Sequence, residues 1–498
     1  MRAPFAQFGR KDKKVSNTRR LAKNTIALTF ASIVPKVFTI VFTVYAARKL
    51  GSMGLGEYAI AGSVVGLFSV FTELGLNNLF VREVARHKDK VGYYLGSMLV
   101  LKACLSVTAI LLIGLVTKLL GYSEVVEQTI YLLALALVFS SFSSLLTSLF
   151  QAYEEMEFSA VLGILNSAVL TVGGIAVLSS GYGVMGLGFV AILAAAVVLI
   201  AALIIIGKRF KFGRLQLNKA FLGQILKEAV PFAVINILIT IYHRTDMVLL
   251  SKLPVAEASN EIASGLYSAS YKFVDTLQMV PAIVTGAAFP FFSRLYLEDK
   301  PKFYSTFQRI LKYLVILGIP TAVGTTLLAE PIIKLAYGAD FIRSATSLRI
   351  LIWASSIIFV NSLFASVLTS MGKMKVLVAV IGANVLFSLT SNFILIPTWG
   401  LGLSFIGASL TTLLTEVLGF SLLCHFFSKR ICALNLFTFL TKPFAASLIM
   451  GGFILLIGRH LLFSILVSPL IYFGLLYFLQ AFDGEDRKIL ANLLTVKK

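Results

Sequence analysis

About fourteen apolar segments, each long enough to cross a lipid bilayer, occupy most of this 498-residue chain. A membrane-spanning helix needs about 20 consecutive apolar residues, and the stretches between these segments are too short to hold a soluble domain. A hydrophobic content of 58% also excludes an ordinary soluble globular protein. We therefore predict an all-α integral membrane protein with about 14 transmembrane helices. The predicted spans lie near 24–47, 58–80, 93–117, 129–150, 159–179, 184–207, 229–250, 262–290, 310–329, 347–370, 376–396, 402–426, 440–458 and 461–481.

Lysine and arginine residues are distributed unevenly between the two sides of the membrane. If the N-terminus is cytoplasmic, 32 of the 44 Lys and Arg residues fall in cytoplasmic segments and 7 in outer segments. This bias is the positive-inside rule, and it predicts that both termini are cytoplasmic. The net charge of +21 therefore indicates contact with anionic membrane lipid rather than with nucleic acid.

Landmarks of the first half recur in the second half at a nearly constant spacing. Tyr58 recurs as Tyr267, 209 residues later, and Asn166 recurs as Asn384, 218 residues later. A repeat of six spans, an even number, gives both copies the same orientation, and transporters built from parallel repeats bind their substrate near the midplane between the halves. The predicted parts are a basic cytoplasmic N-terminus (1–23), an N-lobe of spans 1–6 (24–207), a cytoplasmic linker (208–228), a C-lobe of spans 7–12 (229–426), spans 13 and 14 (427–481) and a cytoplasmic tail (482–498).

Span 1 carries polar residues along a single helix face. Their spacing alternates between four and three residues, which places them on one side of a helix. Because an ionisable group inside a membrane is costly, Lys36 favours the wall of a wet cavity. The hydroxyl residues alone would equally fit a close helix–helix contact, and both interpretations remain open. The residues are Thr25, Thr29, Ser32, Lys36, Thr39 and Thr43.

Spans 2, 7 and 8 also contain ionisable residues. Glu73 lies in span 2 on one face with Asn77. Glu73 is either a functional group or a structural partner that forms an ion pair with Lys36 or Lys102. Span 7 places Asn236, Thr240 and Arg244 on one face, with Asp246 two residues further on. In span 8, Lys272 and Asp275 are three residues apart and can neutralise each other.

These residues predict a cationic site for an anionic group such as a phosphate or diphosphate. Arg48 also has a simpler interpretation, in which it anchors the end of span 1 at the lipid headgroups together with Lys49. The candidate residues for binding diphosphate and sugar are Lys36, Arg48, Arg244, Lys272, Thr29, Ser32, Thr39 and Asn236. The candidates for ion coupling or counter-charge are Glu73, Asp246 and Asp275.

The motifs of known catalytic chemistry are missing from the sequence. The four histidines are scattered, and neither a Ser/His/Asp grouping nor a metal-ligand spacing occurs. No nucleotide-binding motif is present either. We therefore predict a protein that is not an enzyme and that has no catalytic residues, no metal site and no cofactor.

Several segments together resemble a known family. They are Ala47-Arg48-Lys49-Leu50-Gly51, Leu55-Gly56-Glu57-Tyr58-Ala59, Phe71-Thr72-Glu73-Leu74-Gly75-Leu76 and Val81-Arg82-Glu83-Val84-Ala85, with Glu330-Pro331-Ile332-Ile333, Tyr337-Gly338, Phe341, Trp399-Gly400-Leu401 and Gly407-Ala408 in the second half. The chain resembles the polysaccharide biosynthesis (oligosaccharide flippase) family of the multidrug/oligosaccharidyl-lipid/polysaccharide exporter superfamily. The resemblance extends over the whole chain, including the two additional C-terminal spans.

The resemblance implies a flippase that moves a polyprenyl-diphosphate-linked oligosaccharide from the inner to the outer leaflet by alternating access. It implies the plasma membrane of a bacterium or archaeon as the location. The lipid-linked oligosaccharide and membrane lipid would be the binding partners, with a glycan polymerase or glycosyltransferases as further partners. Among the candidate residues for the diphosphate, only Arg48 lies in a recognisable family motif.

Three alternative functions remain at this point. An ion-coupled drug or metabolite antiporter of the same superfamily would usually have twelve spans and a cationic substrate. The second alternative, a lipid II flippase, is closer to the predicted function than the antiporter is. A membrane polymerase or ligase would need a large outer loop with catalytic residues, and the longest outer loop, about 330–346, contains no convincing set.

Overall fold

The computed structural model describes residues 8–210, 219–431, 436–457, 460–482, 484 and 486, and for residues 8–32 it describes the backbone alone. Within these residues it is helical, without a β-strand. The helices are α1 (Phe8–Glu73), α2 (Leu76–Arg86), α3 (Val91–Leu120), α4 (Glu124–Ala152), α5 (Met156–Ser179), α6 (Gly183–Arg209), α7 (Lys219–Leu250), α8 (Asn260–Leu277), α9 (Met279–Glu298), α10 (Lys300–Tyr337), α11 (Ser344–Ser370), α12 (Met374–Leu395), α13 (Ser404–Arg430), α14 (Leu436–Leu456) and α15 (Leu461–Phe478).

Helix α1 is two membrane spans joined at one residue. Gly51 has φ 67° and ψ −175°, a conformation that interrupts the helix between residues 8–50 and 52–73. The apolar segment Ile33–Arg86 is 54 residues long. As one straight helix it would measure about 81 Å, far more than the bilayer core of about 30 Å.

The predicted number of spans is confirmed. In the described part of the chain, 13 helical segments are long and apolar enough to cross a membrane, and Ile33–Arg86 supplies two crossings because of its break at Gly51. Two predicted spans contain breaks that the sequence did not indicate. Span 2 is interrupted between Glu73 and Leu76, and span 8 is divided into α8 and α9 at Gln278.

The chain divides into two compact units, Met1–Arg244 and Thr245–Lys498, so that the boundary falls inside α7. The predicted limits of the lobes and of the linker remain predictions, and residues 211–218 of that linker lie outside the described residues. Each unit has its own apolar core. The core of unit 1 includes Phe80 and Phe150, and the core of unit 2 includes Phe307 and Phe427, all at most 1% exposed.

Large apolar side chains also cover the outside of both units. Leu111 and Val172 in unit 1 are 67% and 65% exposed, and Leu466 and Leu470 in unit 2 are 70% and 73% exposed. Such exposure would be unfavourable in water, but a lipid environment accepts it. The protein is therefore a multi-pass membrane protein whose polar groups are gathered inside each unit.

Candidate functional site

Unit 1 contains a polar cavity with a volume of about 450 Å³. The side chains around it are mostly hydroxyls and amides, and they come from six helices. Glu73 is the one ionisable residue among the described residues of the lining. The lining consists of Glu73, Gly75, Asn77, Asn78, Ser140, Ser143, Ser144, Thr147, Ser148, Gln151, Ser159, Leu162, Gly163, Asn166, Ala195, Val198 and Asn236. We refer to this cavity as the unit 1 pocket.

Helix α4 supplies the largest polar face of the unit 1 pocket. The face consists of Ser140, Ser143, Ser144, Thr147, Ser148 and Gln151. These residues follow the spacing i, i+3, i+4, i+7, i+8 and i+11, which is a single face of an α-helix. The same spacing is present in the sequence, but it does not by itself predict a binding site, because serine and threonine carry no charge and fit helix packing equally well.

The hydroxyl groups of this face donate to carbonyl oxygens of their own helix. The Oγ of Ser144 donates to the carbonyl of Ser141 at 2.8 Å, and the Oγ1 of Thr147 donates to the carbonyl of Ser143 at 2.9 Å. Ser148 donates in the same way to the carbonyl of Ser144 at 2.9 Å. A hydroxyl has one donor and two lone pairs, so the oxygens of Thr147 and Ser148 still have acceptor capacity, whereas Ser144 Oγ accepts from two neighbouring side chains.

The break after α1 places Glu73 and Asn77 on the wall of the pocket. Leu74 and Gly75 have positive φ values of 37° and 75°, and α2 begins at the next residue. The Nδ2 of Asn77 donates to Glu73 Oε1 at 3.2 Å and to Ser144 Oγ at 3.1 Å. The Oδ1 of Asn77 is buried and has no hydrogen-bond partner in the part of the chain that the structure describes.

Lys102 lies behind this wall and is completely buried. Its Nζ donates to the hydroxyl oxygens of Ser141 and Ser144, both at 3.3 Å. Glu73 and Lys102 do not form the ion pair that the sequence offered as one alternative. Instead, they are linked through Ser144 and Asn77.

Two asparagine side chains complete the polar lining from other helices. Asn166 extends from α5 and Asn236 from α7, and both are half-buried. Neither amide has a hydrogen-bond partner among the described residues. Of the predicted site residues, the structure therefore brings Glu73 and Asn236 into one pocket.

Unit 2 contains a different polar arrangement around Asp246, which is 8% exposed. Its carboxylate accepts four hydrogen bonds, two on each oxygen. The donors to Oδ1 are Ser388 Oγ at 3.1 Å and Asn392 Nδ2 at 2.6 Å. The donors to Oδ2 are Tyr267 Oη at 3.1 Å and Thr412 Oγ1 at 2.9 Å. We refer to these five residues as the Asp246 cluster.

The Asp246 cluster has neutral donors only. An ionised carboxylate has about four lone-pair positions, and four donors occupy them. Within the described residues, no Lys, Arg or His lies within 4.0 Å of this carboxylate. The cluster is therefore a buried carboxyl group held by hydroxyls and one amide, and such a group can hold a proton or a small cation.

The remaining predicted site residues lie elsewhere. Lys272 and Asp275 form an ion pair with Nζ and Oδ2 3.6 Å apart, and their side chains are 42% and 38% exposed. Lys36 is half-buried and Arg48 is exposed. Thr39 donates to the carbonyl of Pro35 at 2.8 Å.

The side chain of Arg244 is exposed and passes close to Gly66 of α1. A Cβ at position 66 would lie 2.9 Å from Arg244 Nε, so the glycine provides the space that the guanidinium group occupies. The side chains of Thr29 and Ser32 lie outside the described residues. None of Lys36, Thr39, Arg48 or Arg244 lines the unit 1 pocket.

Among the residues that the structure describes, no group of three or more His, Cys, Asp or Glu side chains could hold a metal ion. The fold and the two polar arrangements thus define a class of protein: an all-helical membrane protein whose spans enclose polar groups inside each unit.

Sequence comparison identifies the family within that class. The sequence profile of the polysaccharide biosynthesis protein family matches residues 21–296, and that of the MatE family matches residues 231–394. The first match extends over more than half of the chain. The chain therefore belongs to the polysaccharide biosynthesis protein family.

Three relatives extend over most of the chain. A putative O-antigen transporter of Shigella flexneri is 24% identical over 83% of this chain and 99% of its own length. A probable low-salt glycan biosynthesis flippase, Agl15, of Haloferax volcanii is 21% identical over 92% of this chain and 94% of its own. The lipid II flippase MurJ of Bacillus subtilis is 21% identical over 76% of this chain and 77% of its own.

Solved structures share the fold. A lipid II flippase MurJ in an inward closed conformation superimposes with a TM-score of 0.74 at 18% identity, over 92% of this chain and 99% of the other. An inward-facing multidrug resistance MATE transporter of the MOP superfamily superimposes with a TM-score of 0.64 at 15% identity, over 79% and 96% of the two chains. The fold is therefore the one shared by MurJ and the MATE transporters.

Proposed function

We propose that this protein is a flippase that moves a polyprenyl-diphosphate-linked oligosaccharide from the inner to the outer leaflet by alternating access. The observation that carries the proposal is a polar pocket of about 450 Å³ enclosed by membrane spans, in a member of the polysaccharide biosynthesis protein family. A neutral lipid tail needs no polar pocket inside a helical bundle, whereas a hydrophilic head group crossing the bilayer does. The names of the Shigella and Haloferax relatives support the same activity.

The charged groups supply two further parts of the proposal. Lys36, Arg48, Arg244 and Lys272 would bind the diphosphate as it passes, because basic side chains in a low-dielectric environment favour phosphate oxygens. Asp275, which pairs with Lys272 at 3.6 Å, would be the counter-charge of that lysine when no substrate is bound.

Asp246 would couple transport to an ion. A buried carboxylate surrounded by neutral donors is stable in two forms, protonated or with a small cation replacing part of its hydrogen-bond shell. Loading and unloading such a group changes the net charge inside unit 2, and a change of this kind can favour one transporter conformation over another.

The cellular setting follows from the same proposal. The protein would lie in the plasma membrane of a bacterium or archaeon with both termini in the cytoplasm. Its substrate would come from glycosyltransferases on the inner face and pass to a glycan polymerase or transferase on the outer face. A transport role, rather than catalysis, is also what the names of the relatives suggest.

A second candidate function is an ion-coupled antiporter for drugs or metabolites. The match of the MatE profile to residues 231–394 and the MATE structure favour this alternative. A lipid II flippase is a third candidate, supported by the Bacillus relative.

The test is a flipping assay in proteoliposomes with fluorescent polyprenyl-diphosphate oligosaccharides. Wild type should move at least one glycan of the panel, and Lys36→Ala and Arg244→Ala should reduce the rate by about tenfold, the effect of one lost charge-assisted contact. Lys118→Ala is the matched control, because Lys118 is an exposed lysine in the last turn of α3 and should leave the rate unchanged.

Each outcome has a distinct meaning. If wild type and all three variants flip the lipid at the same rate, the flippase function is supported, and the assignment of Lys36 and Arg244 as diphosphate-binding residues is wrong. Should wild type move no glycan under a proton or Na⁺ gradient but exchange a cationic dye, the antiporter function replaces the proposal. Preferential movement of lipid II over every other glycan would favour the third candidate.

A further inference from the structure

We propose that the unit 1 pocket binds the saccharide part of the transported lipid, in the form of neutral, hydroxyl-rich sugar rings, and not its diphosphate. This inference rests on the proposed flippase function and assigns one part of the substrate to one place in the protein.

The charge of the pocket excludes a phosphate ligand. Among the described residues, Glu73 is the one ionisable member of the lining, and no described Lys, Arg or His belongs to it. A carboxylate repels a diphosphate at short range, most strongly in a low-dielectric environment. Lys102 does not compensate, because its Nζ is buried behind the wall and donates to Ser141 and Ser144.

The hydrogen-bonding groups of the pocket fit sugar hydroxyls. A hydroxyl group both donates and accepts, so a site for sugars needs both kinds of partner. The amides of Asn166 and Asn236 offer donors and acceptors without a partner among the described residues, and Asn77 Oδ1 is a buried acceptor without one. A buried acceptor such as Asn77 Oδ1 requires water or a polar ligand, and the half-buried amides of Asn166 and Asn236 can bind the same molecule.

The α4 face adds acceptors in fixed positions. Thr147 and Ser148 line the pocket and donate to carbonyls of their own helix, so their oxygens keep lone pairs that can accept, whereas Ser144 Oγ already accepts from Asn77 and Lys102. Lys102 further restrains Ser144 from behind at 3.3 Å. A wall that is ordered before the ligand arrives reduces the entropy lost on binding.

The volume of the pocket agrees with a head group of sugar size. Small-molecule sites usually measure about 300–1,000 Å³, and the unit 1 pocket at about 450 Å³ lies within this range. The aliphatic side chains of its wall are Leu162, Ala195 and Val198.

The experiment measures binding of free sugars to the full-length protein in lipid nanodiscs by saturation-transfer NMR. The probes are methyl glycosides of glucose, galactose, mannose, rhamnose and N-acetylglucosamine, each without lipid or phosphate. We expect saturation transfer to at least one glycoside, no displacement by inorganic pyrophosphate, and a loss of affinity of about tenfold in Asn166→Leu and in Asn236→Leu. Ser167→Ala is the control, since Ser167 follows Asn166 on α5, donates to the carbonyl of Gly163 and does not line the pocket.

Three results would overturn the inference. The first is an absence of saturation transfer to every glycoside in wild type. The second is equal transfer in wild type and in both asparagine variants, and the third is displacement of the bound glycoside by pyrophosphate. The flipping assay separates this failure from failure of the flippase function. Normal flipping by Asn166→Leu and Asn236→Leu would reject the sugar site and retain the flippase, whereas sugar binding without flipping would retain the pocket and reject the flippase.

Discussion

The unit 1 pocket and the Asp246 cluster are both polar and both lie inside membrane spans, but they differ in how their hydrogen bonds are satisfied. In the pocket, the amide of Asn166 has no partner among the described residues. In the cluster, Asn392 is fully buried and donates to Asp246 at 2.6 Å. The amide donor of asparagine is thus available for binding in one unit and engaged in the other, while Asn392 Oδ1 has no partner among the described residues.

This difference indicates the size of ligand that each arrangement can accept. Four donors already surround the carboxylate of Asp246, so only a proton or a small cation can be added without breaking the cluster. The pocket has free volume and free hydrogen-bonding groups, so it can accept a polar molecule of several atoms. The predictions below test this distinction, beginning with the largest effect.

Replacing Asp246 by leucine should cause the largest loss of stability. The substitution removes the shared acceptor of four donors, at a cost of about 3 kcal/mol. Thr412 keeps the Ala408 carbonyl as an acceptor at 3.0 Å, and Asn392 keeps Ser388 Oγ at 3.3 Å. Thermal unfolding in detergent micelles measures the effect, and Asp246→Asn should unfold close to wild type. The asparagine variant should nevertheless lose ion-coupled transport. Unfolding of Asp246→Leu at the wild-type temperature would show that the cluster does not stabilise unit 2.

A matched pair of asparagine variants tests the comparison directly. Asn392→Leu removes a donor to a buried carboxylate and should cost about 2 kcal/mol, whereas Asn166→Leu should change the free energy of unfolding by less than about 0.5 kcal/mol. Chemical unfolding of both variants in the same detergent gives the two values. Equal losses would mean that the two asparagines have the same structural role and would contradict the distinction.

Lys102→Met should be neutral or stabilising. The lysine is completely buried and is held by two serine hydroxyls, both of which have other acceptors, at Thr72 and Ser141. Replacing a buried charge by an apolar side chain of similar shape often increases stability by about 1 kcal/mol. A marked decrease in the unfolding temperature would show that the charge of Lys102 organises the pocket wall.

The smallest expected effect is the contribution of Asp299 to the unfolding temperature at low pH. This contribution must be known before the pH dependence of Asp246 variants can be interpreted. Asp299 precedes α10 outside the spans, and the backbone N–H of Lys302 donates to its Oδ1 at 3.1 Å, which lowers the pKa of this carboxyl below its ordinary value of 3.8. Its stabilising contribution is therefore present above the ordinary pKa and is lost as the pH falls through the lowered pKa. The difference in unfolding temperature between wild type and Asp299→Ala should shrink between pH about 6 and about 3. A difference that stays constant would exclude the carboxylate as the cause.

The sequence predicted the fold well because a membrane span is a local property. Length and apolar composition locate each helix, and the helical spacing of Lys272 and Asp275 predicted their ion pair. The predicted single face of Glu73 and Asn77 is interrupted at Leu74 and Gly75, and their 3.2 Å hydrogen bond crosses that break. Contacts three or four residues apart follow directly from helix geometry.

The partners of Asp246 could not be predicted from the sequence in this way. They lie 21 to 166 residues away along the chain, on α8, α12 and α13, so they depend on how helices pack. The α4 face of the pocket was missed for another reason. Its spacing was visible, but uncharged hydroxyls in a span are compatible with ordinary helix contacts, and only the cavity beside them distinguishes the two cases.

The break at Gly51 has a consequence at the level of the gene. With φ 67° and ψ −175°, Gly51 occupies a region of conformational space that is essentially restricted to glycine. Every missense change of a single base in a glycine codon introduces a side chain with a Cβ. Position 51 thus has no conservative neighbour in the genetic code, and natural variants of this codon should be removed by selection even though Gly51 itself binds nothing.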